Sequence, residues 1–142
     1  MLTLCTMLFS ASISFSGGKS TLIMREGEKS VSLTEGAEVI SGSMKITASS
    51  ITLSGEDWKE IESRGKIEIT DSERGISIKT SILWFDRIDE ILVISSFFEL
   101  DDIPDQLYAQ AGSLRYDMKN EKLEMGMQVT LMKVADGEVM KC

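Results

Sequence analysis

Three stretches of this 142-residue chain repeat one local pattern: Ala48-Ser49-Ser50-Ile51-Thr52-Leu53-Ser54, Thr80-Ser81-Ile82-Leu83-Trp84-Phe85-Asp86 and Ala111-Gly112-Ser113-Leu114-Arg115-Tyr116-Asp117. A small residue, two spacers, an aliphatic residue, a spacer, an aliphatic or aromatic residue and then Asp or Ser recur after 32 and then 31 residues. Spacing of this size marks stacked supersecondary units. Such a unit cannot bury its apolar side alone, so its neighbours must continue one core along a single direction. Function in a chain of this kind is expected along a surface or groove.

From Lys19 onward the apolar residues recur with a period of two rather than 3.6. Met44, Ile46 and Ala48 alternate with polar residues, as do Ile67 and Ile69, Ile76 and Ile78, and Leu107, Ala109 and Ala111. Met125, Met127, Val129 and Leu131 make the longest clean run, read as one strand. Alternation of this sort turns one strand face to an apolar interior and the other to water. Turn signals separate the runs at Gly36, Ser41-Gly42, Ser54-Gly55, Asp71-Ser72, Arg74-Gly75, residues 117–120 and Asp136-Gly137. The single proline, Pro104, lies in Asp101-Asp102-Ile103-Pro104-Asp105, read as a loop. Residues 56–64 place Trp58 and Ile61 at helical spacing, with Ser54 available as a cap. Yet Ile61 holds the position that Leu123 takes after the third motif, which favours a turn entering a strand.

Within the motif the parity changes. Ala48, Ile51 and Leu53 cannot share a face on a flat strand, because an offset of three flips the side and an offset of two keeps it. A corner or bulge at Ser49-Ser50 restores the inward direction, and equivalent kinks are expected at Ser81-Ile82 and Gly112-Ser113. Strands that bend at equivalent points and pass between sheets are how orthogonal sandwiches and jelly rolls turn corners.

Composition narrows the function. Fifteen Lys and Arg against 23 Asp and Glu leave a net charge of −8, which argues against nucleic acid as a partner. The two cysteines, Cys5 and Cys142, sit at opposite ends and suggest neither a disulfide framework nor a thiolate metal site. With no histidine in the chain, Ser-His and Cys-His nucleophile systems and imidazole metal sites are excluded. The acidic pairs Glu56-Asp57 and Asp101-Asp102 read as solvated turns. No enzyme activity, catalytic residue, metal or cofactor is expected.

Residues 1–16 carry no charged side chain, and Leu2, Leu4, Met7, Leu8 and Phe9 are followed by Ser10-Ala11-Ser12 and Ser14-Phe15-Ser16. Small residues at those spacings resemble signal-peptidase sites. This segment is read as a signal peptide or short N-terminal anchor, and residues 17–142 as one β domain. Counting 31 on from Ala111 reaches Cys142, so a fourth unit supplies strands over 128–133 and 138–142 but no exit strand. The domain is therefore expected to be incomplete at its C-terminus, with an unpaired edge open to other strands.

The units resemble those of the OstA/LptA-like proteins of lipopolysaccharide transport, in which a glycine and an alternating strand lead to an Ala-x-x-Leu-x-Tyr-Asp-like segment. Residues 111–117 and 80–86 are the nearest copies, and Gly65-Lys66-Ile67-Glu68-Ile69 is similar to the family's strand opening. The resemblance covers residues 31–142. It implies an all-β fold, a twisted, partly open β-jellyroll of repeated strand pairs of about 31 residues whose apolar trough shields lipopolysaccharide acyl chains. Ile46, Ile67, Ile69, Ile78, Leu83, Phe85 and Phe98 are candidate lipid-binding residues on this view. Leu114, Tyr116, Met125, Met127, Val129 and Leu131 complete the set, with Met125 and Met127 preferred because they share the longest alternating run. The implied partners are lipopolysaccharide or another acylated lipid, other OstA-like domains joined by end-to-end strand pairing, and further copies of the chain. The implied location is the periplasm, with anchoring to the inner membrane if the N-terminus is retained. The alternative is a structural β-repeat protein, comparable with bactofilin-like filament formers, that self-assembles through strand edges without binding lipid.

Overall fold

The computed structural model describes residues 13–135 and 138–141. The strands are β1 (Ile13–Ser16), β2 (Lys19–Arg25), β3 (Glu28–Ser41), β4 (Met44–Ser54), β5 (Glu60–Asp71), β6 (Ile76–Asp86), β7 (Ile91–Ile94) and β8 (Phe98–Asp102). They continue with β9 (Leu107–Ala111), β10 (Ser113–Asp117), β11 (Lys122–Gly126), β12 (Thr130–Ala135) and β13 (Glu138–Lys141). A one-turn 3-10 segment, Glu56–Trp58, precedes β5. Residues 56–64 thus enter a strand through a tight turn, as the repeat register predicts.

All thirteen strands belong to one antiparallel sheet that bends on itself. Strands β3 to β6 run through the bend, and each has one stretch on either side of it. One half-sheet is ordered β2-β3-β4-β5-β6-β7-β10-β11, and the other β1-β3-β4-β5-β6-β8-β9-β12-β13. The bend is a line of corners. In the β3/β4 ladder Thr34 pairs with Ser50 and Ala37 with Ala48, leaving Glu35 and Gly36 opposite Ser49 alone. In the β5/β6 ladder Arg64 pairs with Ile82 and Ile67 with Thr80, leaving Gly65 and Lys66 opposite Ser81. Two residues against one is the geometry of a bulge, which bends and twists its strand. Gly65 is required here: its φ is +80°, and a Cβ would lie 2.9 Å from the Cβ of Ser49. The third expected kink is a break, because β9 ends at Ala111 and β10 begins at Ser113.

An Asp at the end of four strands has a structural role: Asp86 and Asp117 close the second and third repeats, and Asp71 and Asp102 close β5 and β8. Asp71 Oδ1 accepts hydrogen bonds from the backbone N–H groups of Glu73 (3.0 Å) and Arg74 (3.2 Å). Asp86 Oδ1 accepts from Ile88 (3.1 Å) and Asp89 (2.9 Å), Asp102 from Asp105 (3.3 Å) and Asp117 from Asn120 (3.2 Å). A short carboxylate folded back on its own turn satisfies donors that the ladder leaves free, so each of these Asp residues marks a strand's turn.

Three expectations need correction. The run from Met125 to Leu131 is not one strand: β11 ends at Gly126, Met127 and Gln128 take positive φ (67° and 61°), and β12 begins at Thr130. Met127 and Val129 are consequently exposed, at 72% and 42%, and do not point into the core. Asp101 and Asp102 are strand residues of β8, so the loop around Pro104 is shorter than expected. Ile13–Ser16, read with the N-terminal segment, forms β1 and pairs with β3 from Ile13↔Ser41 to Ser16↔Glu38. The remainder of that segment, Asp136-Gly137 and both cysteines lie outside the described residues.

Candidate functional site: an apolar groove between two half-sheets

Because side chains alternate, each half-sheet presents one face to the other, and the pairing register lines up inward residues in rows across the strands. In the first half-sheet one row runs Leu33-Ile51-Ser63-Leu83-Ile94-Leu114-Met125. The next runs Leu22-Val31-Leu53-Ile61-Phe85-Leu92-Tyr116-Leu123. In the second, Phe15-Val39-Ile46-Ile69-Ile78-Leu100-Ala109-Leu131 spans from β1 to β12. The two faces meet: Met44, Ile69, Ile76 and Ile78 of one and Leu92, Tyr116 and Met118 of the other surround a single void of about 10 Å³. The interior is therefore a filled apolar slot, with its long axis across the strands.

The slot opens at its ends and along one side. At the β2 end a cavity of about 510 Å³ is lined by Phe15, Leu22, Met24, Val31, Leu33 and Trp58, among others. Leu22 is 56% exposed and Met24 66%. Phe15 and Trp58 meet edge to face with centroids 5.8 Å apart, and Lys29 Nζ lies 4.9 Å from the Trp58 ring, so a cation caps an aromatic contact between the half-sheets. At the β11 and β12 end Met125 and Leu131 are half-buried.

Along the open side, between the hairpin tips, a second cavity of about 480 Å³ holds charged residues that include Asp71, Arg74, Arg87 and Lys119. Burial pushes the Asp71 carboxyl up. Its bonds from Arg74 Nη1 (2.8 Å) and Ser43 Oγ (2.8 Å), with those from the backbone N–H groups, outweigh that and hold it below the usual carboxylate value. Burial raises the Tyr116 phenol, against the nearby Arg74 charge. Buried Arg87 donates to the backbone carbonyls of Asp57 and Trp58, fastening the 3-10 turn to the β6–β7 hairpin. The tips are polar and cross-linked, whereas the slot behind them is apolar.

The structure brings together most of the residues expected from sequence. Ile46, Ile67, Ile69, Ile78, Leu83, Phe85, Phe98, Leu114 and Tyr116 are all buried and inward. Met125 and Leu131 stand at the end of the slot, while Met127 and Val129 do not contribute to its lining. Reasoning from alternation missed the opposite end: Phe15, Leu22 and Trp58 lie outside the repeated motifs. It also missed Ser63, 2% exposed in the middle of an otherwise apolar row.

This architecture has a solved counterpart. The crystal structure of LptH, the LptA homologous periplasmic component of the conserved lipopolysaccharide transport device from Pseudomonas aeruginosa, superposes with a TM-score of 0.72. The fold is LptA-like. The match covers 93% of this chain and 94% of LptH at 11% sequence identity. No family model and no curated protein sequence matches the chain. Among the described residues no helix is long and apolar enough to cross a membrane.

Proposed function

We propose that the chain is a periplasmic lipid-binding bridge or carrier that shields the acyl chains of lipopolysaccharide, or of another acylated lipid, on the way to the outer membrane. The observation that carries this reading is the continuity of the apolar rows from β1 and β2 to β11 and β12, with a groove mouth at the β2 end. Each methylene removed from water contributes ~0.8 kcal/mol, so enclosing ten carbons of an acyl chain is worth ~8 kcal/mol before ordering costs. The lining is packed against itself without ligand, so an entering chain displaces side-chain contacts as the half-sheets part about the line of corners. The LptA-like fold supports the same reading and makes a non-enzymatic role the natural one.

End-to-end strand pairing belongs to the proposal. Among the described residues β2 and β11 each have one strand neighbour, and so do β1 and β13, which leaves edge N–H and C=O groups for another such domain or a second copy. Export by residues 1–16 is proposed as well. Retention of β1 then sets the mature start at or before Ile13, which N-terminal sequencing of the protein recovered from the periplasm tests.

Photo-crosslinking on opposite faces of one strand tests lipid binding. A photoreactive residue at Leu22, inside the groove mouth, gives a lipid adduct by mass spectrometry in cells that make lipopolysaccharide; one at Thr21, on the outer face of the same strand, gives none. The same contrast holds for Met125 against Glu124 on β11. Equal labelling on both faces would falsify the reading.

A further inference from the structure

Among the described residues one buried side-chain polar atom has no hydrogen-bond partner: the hydroxyl of Ser63. The other buried polar residues all have partners. Asp71 is held by Ser43 and Arg74, Asp86 accepts from its own turn, and Arg87 donates to two carbonyls. Ser63 lies on β5 between Ile51 of β4 and Leu83 of β6, in a row whose other buried members are Leu33, Ile94 and Leu114. Its neighbour on the same face is Ile61, also fully buried. Leaving a buried hydroxyl unpaired costs ~1–3 kcal/mol. An alanine would fill the same place without that cost.

We propose that Ser63 is a ligand-binding residue that pairs with a hydroxyl group carried part-way along an acyl chain in the groove. The proposal rests on the lipid-carrier reading and adds what kind of acyl chain the groove prefers. A hydroxyl suits the site because serine both donates and accepts, and so does the group it would meet. In strand order Ser63 is the fourth position from the β2 end, so at ~4.8 Å per strand it lies ~14 Å inside the mouth. A chain entering from that end meets it with its middle, not with its headgroup. A plain methylene in the same place leaves the serine unpaired. The site therefore discriminates by the polar atom it would otherwise strand.

The experiment compares stearic acid with 12-hydroxystearic acid, each displacing a fluorescent fatty acid from the purified chain. Wild type is expected to bind the hydroxylated acid about 5-fold more tightly, the ratio set by one net hydrogen bond of ~1 kcal/mol. In Ser63→Ala the ratio falls to about one, while Ser63→Thr, which keeps the hydroxyl, retains the preference. Thermal melts of ligand-free Ser63→Ala at or above wild type show that the change is one of recognition and not of folding. Equal affinities in wild type, or a preference that persists in Ser63→Ala, would overturn the role of Ser63 and leave the carrier reading standing. If neither acid binds wild type, both readings are overturned.

Discussion

The two ends of the groove solve one geometric problem in different ways. Strands β3, β4, β5 and β6 are 14, 11, 12 and 11 residues long, and each carries its backbone through the bend from one half-sheet to the other. Further along, the same path is cut into separate pieces of four to six residues, from β7 and β8 to β11 and β12. In the first region the corner is a bulge held by ladders on both sides. In the second it is a short connection: residues 95–97, Gly112 and residues 127–129. Ladder hydrogen bonds resist opening where strands are continuous, whereas a connection yields by rotation of a few backbone torsions. The groove is thus rigid near β3 to β6 and better able to part toward β11 and β12, which gives a direction to the entry or release of a guest.

Four tests, using six substitutions, break or sharpen this contrast, beginning with the largest effect. Ile46→Ala removes a side chain that is 1% exposed at the centre of the rigid region. It should cost ~2–5 kcal/mol in urea denaturation, and Leu131→Ala, at the half-buried far end, less than half of that. A similar loss at both positions would contradict the difference in rigidity.

Next come the corners themselves. Gly65→Ala forces a side chain into positive φ and against the Ser49 Cβ, for a loss of about 2 kcal/mol or more. Gly112→Ala also brings a Cβ to 2.9 Å, from the Cβ of Met127, so the connection over residues 127–129 must move with it; but Gly112, unlike Gly65, has no positive φ. Its cost should therefore be smaller than that at Gly65. Paired thermal melts compare them directly.

A third test is electrostatic. Asp71 closes the hairpin after β5, and its carboxyl is held below the ordinary value of 3.8 despite burial. A group whose pKa is depressed on folding contributes stability that is fully present above the unfolded value and is lost as pH falls through the folded one. Asp71→Asn should therefore cost ~1–2 kcal/mol at pH 7, and its deficit relative to wild type should shrink as pH falls below about 3.8. A deficit constant from pH 7 to pH 2 would remove the charge from the explanation. The smallest effect belongs to Met127→Asp, expected to change stability by less than ~0.5 kcal/mol because the side chain points to water and Asp tolerates positive φ. A large loss would put Met127 back into the core.

The success at Ile46 and the failure at Met127 have one origin. Alternation reports burial wherever a strand is regular, so the rows through Ile46, Ile67 and Leu83 could be read directly. The parity change at Ser49-Ser50 also disclosed a corner, because a flat strand could not accommodate it. At Met127-Gln128 the only local warning is Gly126 just before them: neither residue that takes positive φ is Gly, Asn or Asp, and the apolar spacing continues unbroken into a segment whose backbone leaves the strand. Ser63 was hidden for the opposite reason. Between Glu62 and Arg64 it reads as part of a polar stretch, and only the register with Ile51 and Leu83 reveals its burial. Phe15 and Trp58 meet through the closure of the sheet, which no local pattern encodes.

The order of strands has a consequence for how the molecule assembles. From β3 to β6 every neighbour in the sheet is also the next strand in the chain, and later ladders skip at most two short strands. Little loop closure is needed before a ladder begins to repay it, so hairpins can zip from several starting points and spread outward. Refolding should be faster than for a Greek-key sandwich of equal length, and loss of a terminal hairpin should shorten the array without preventing the centre from forming.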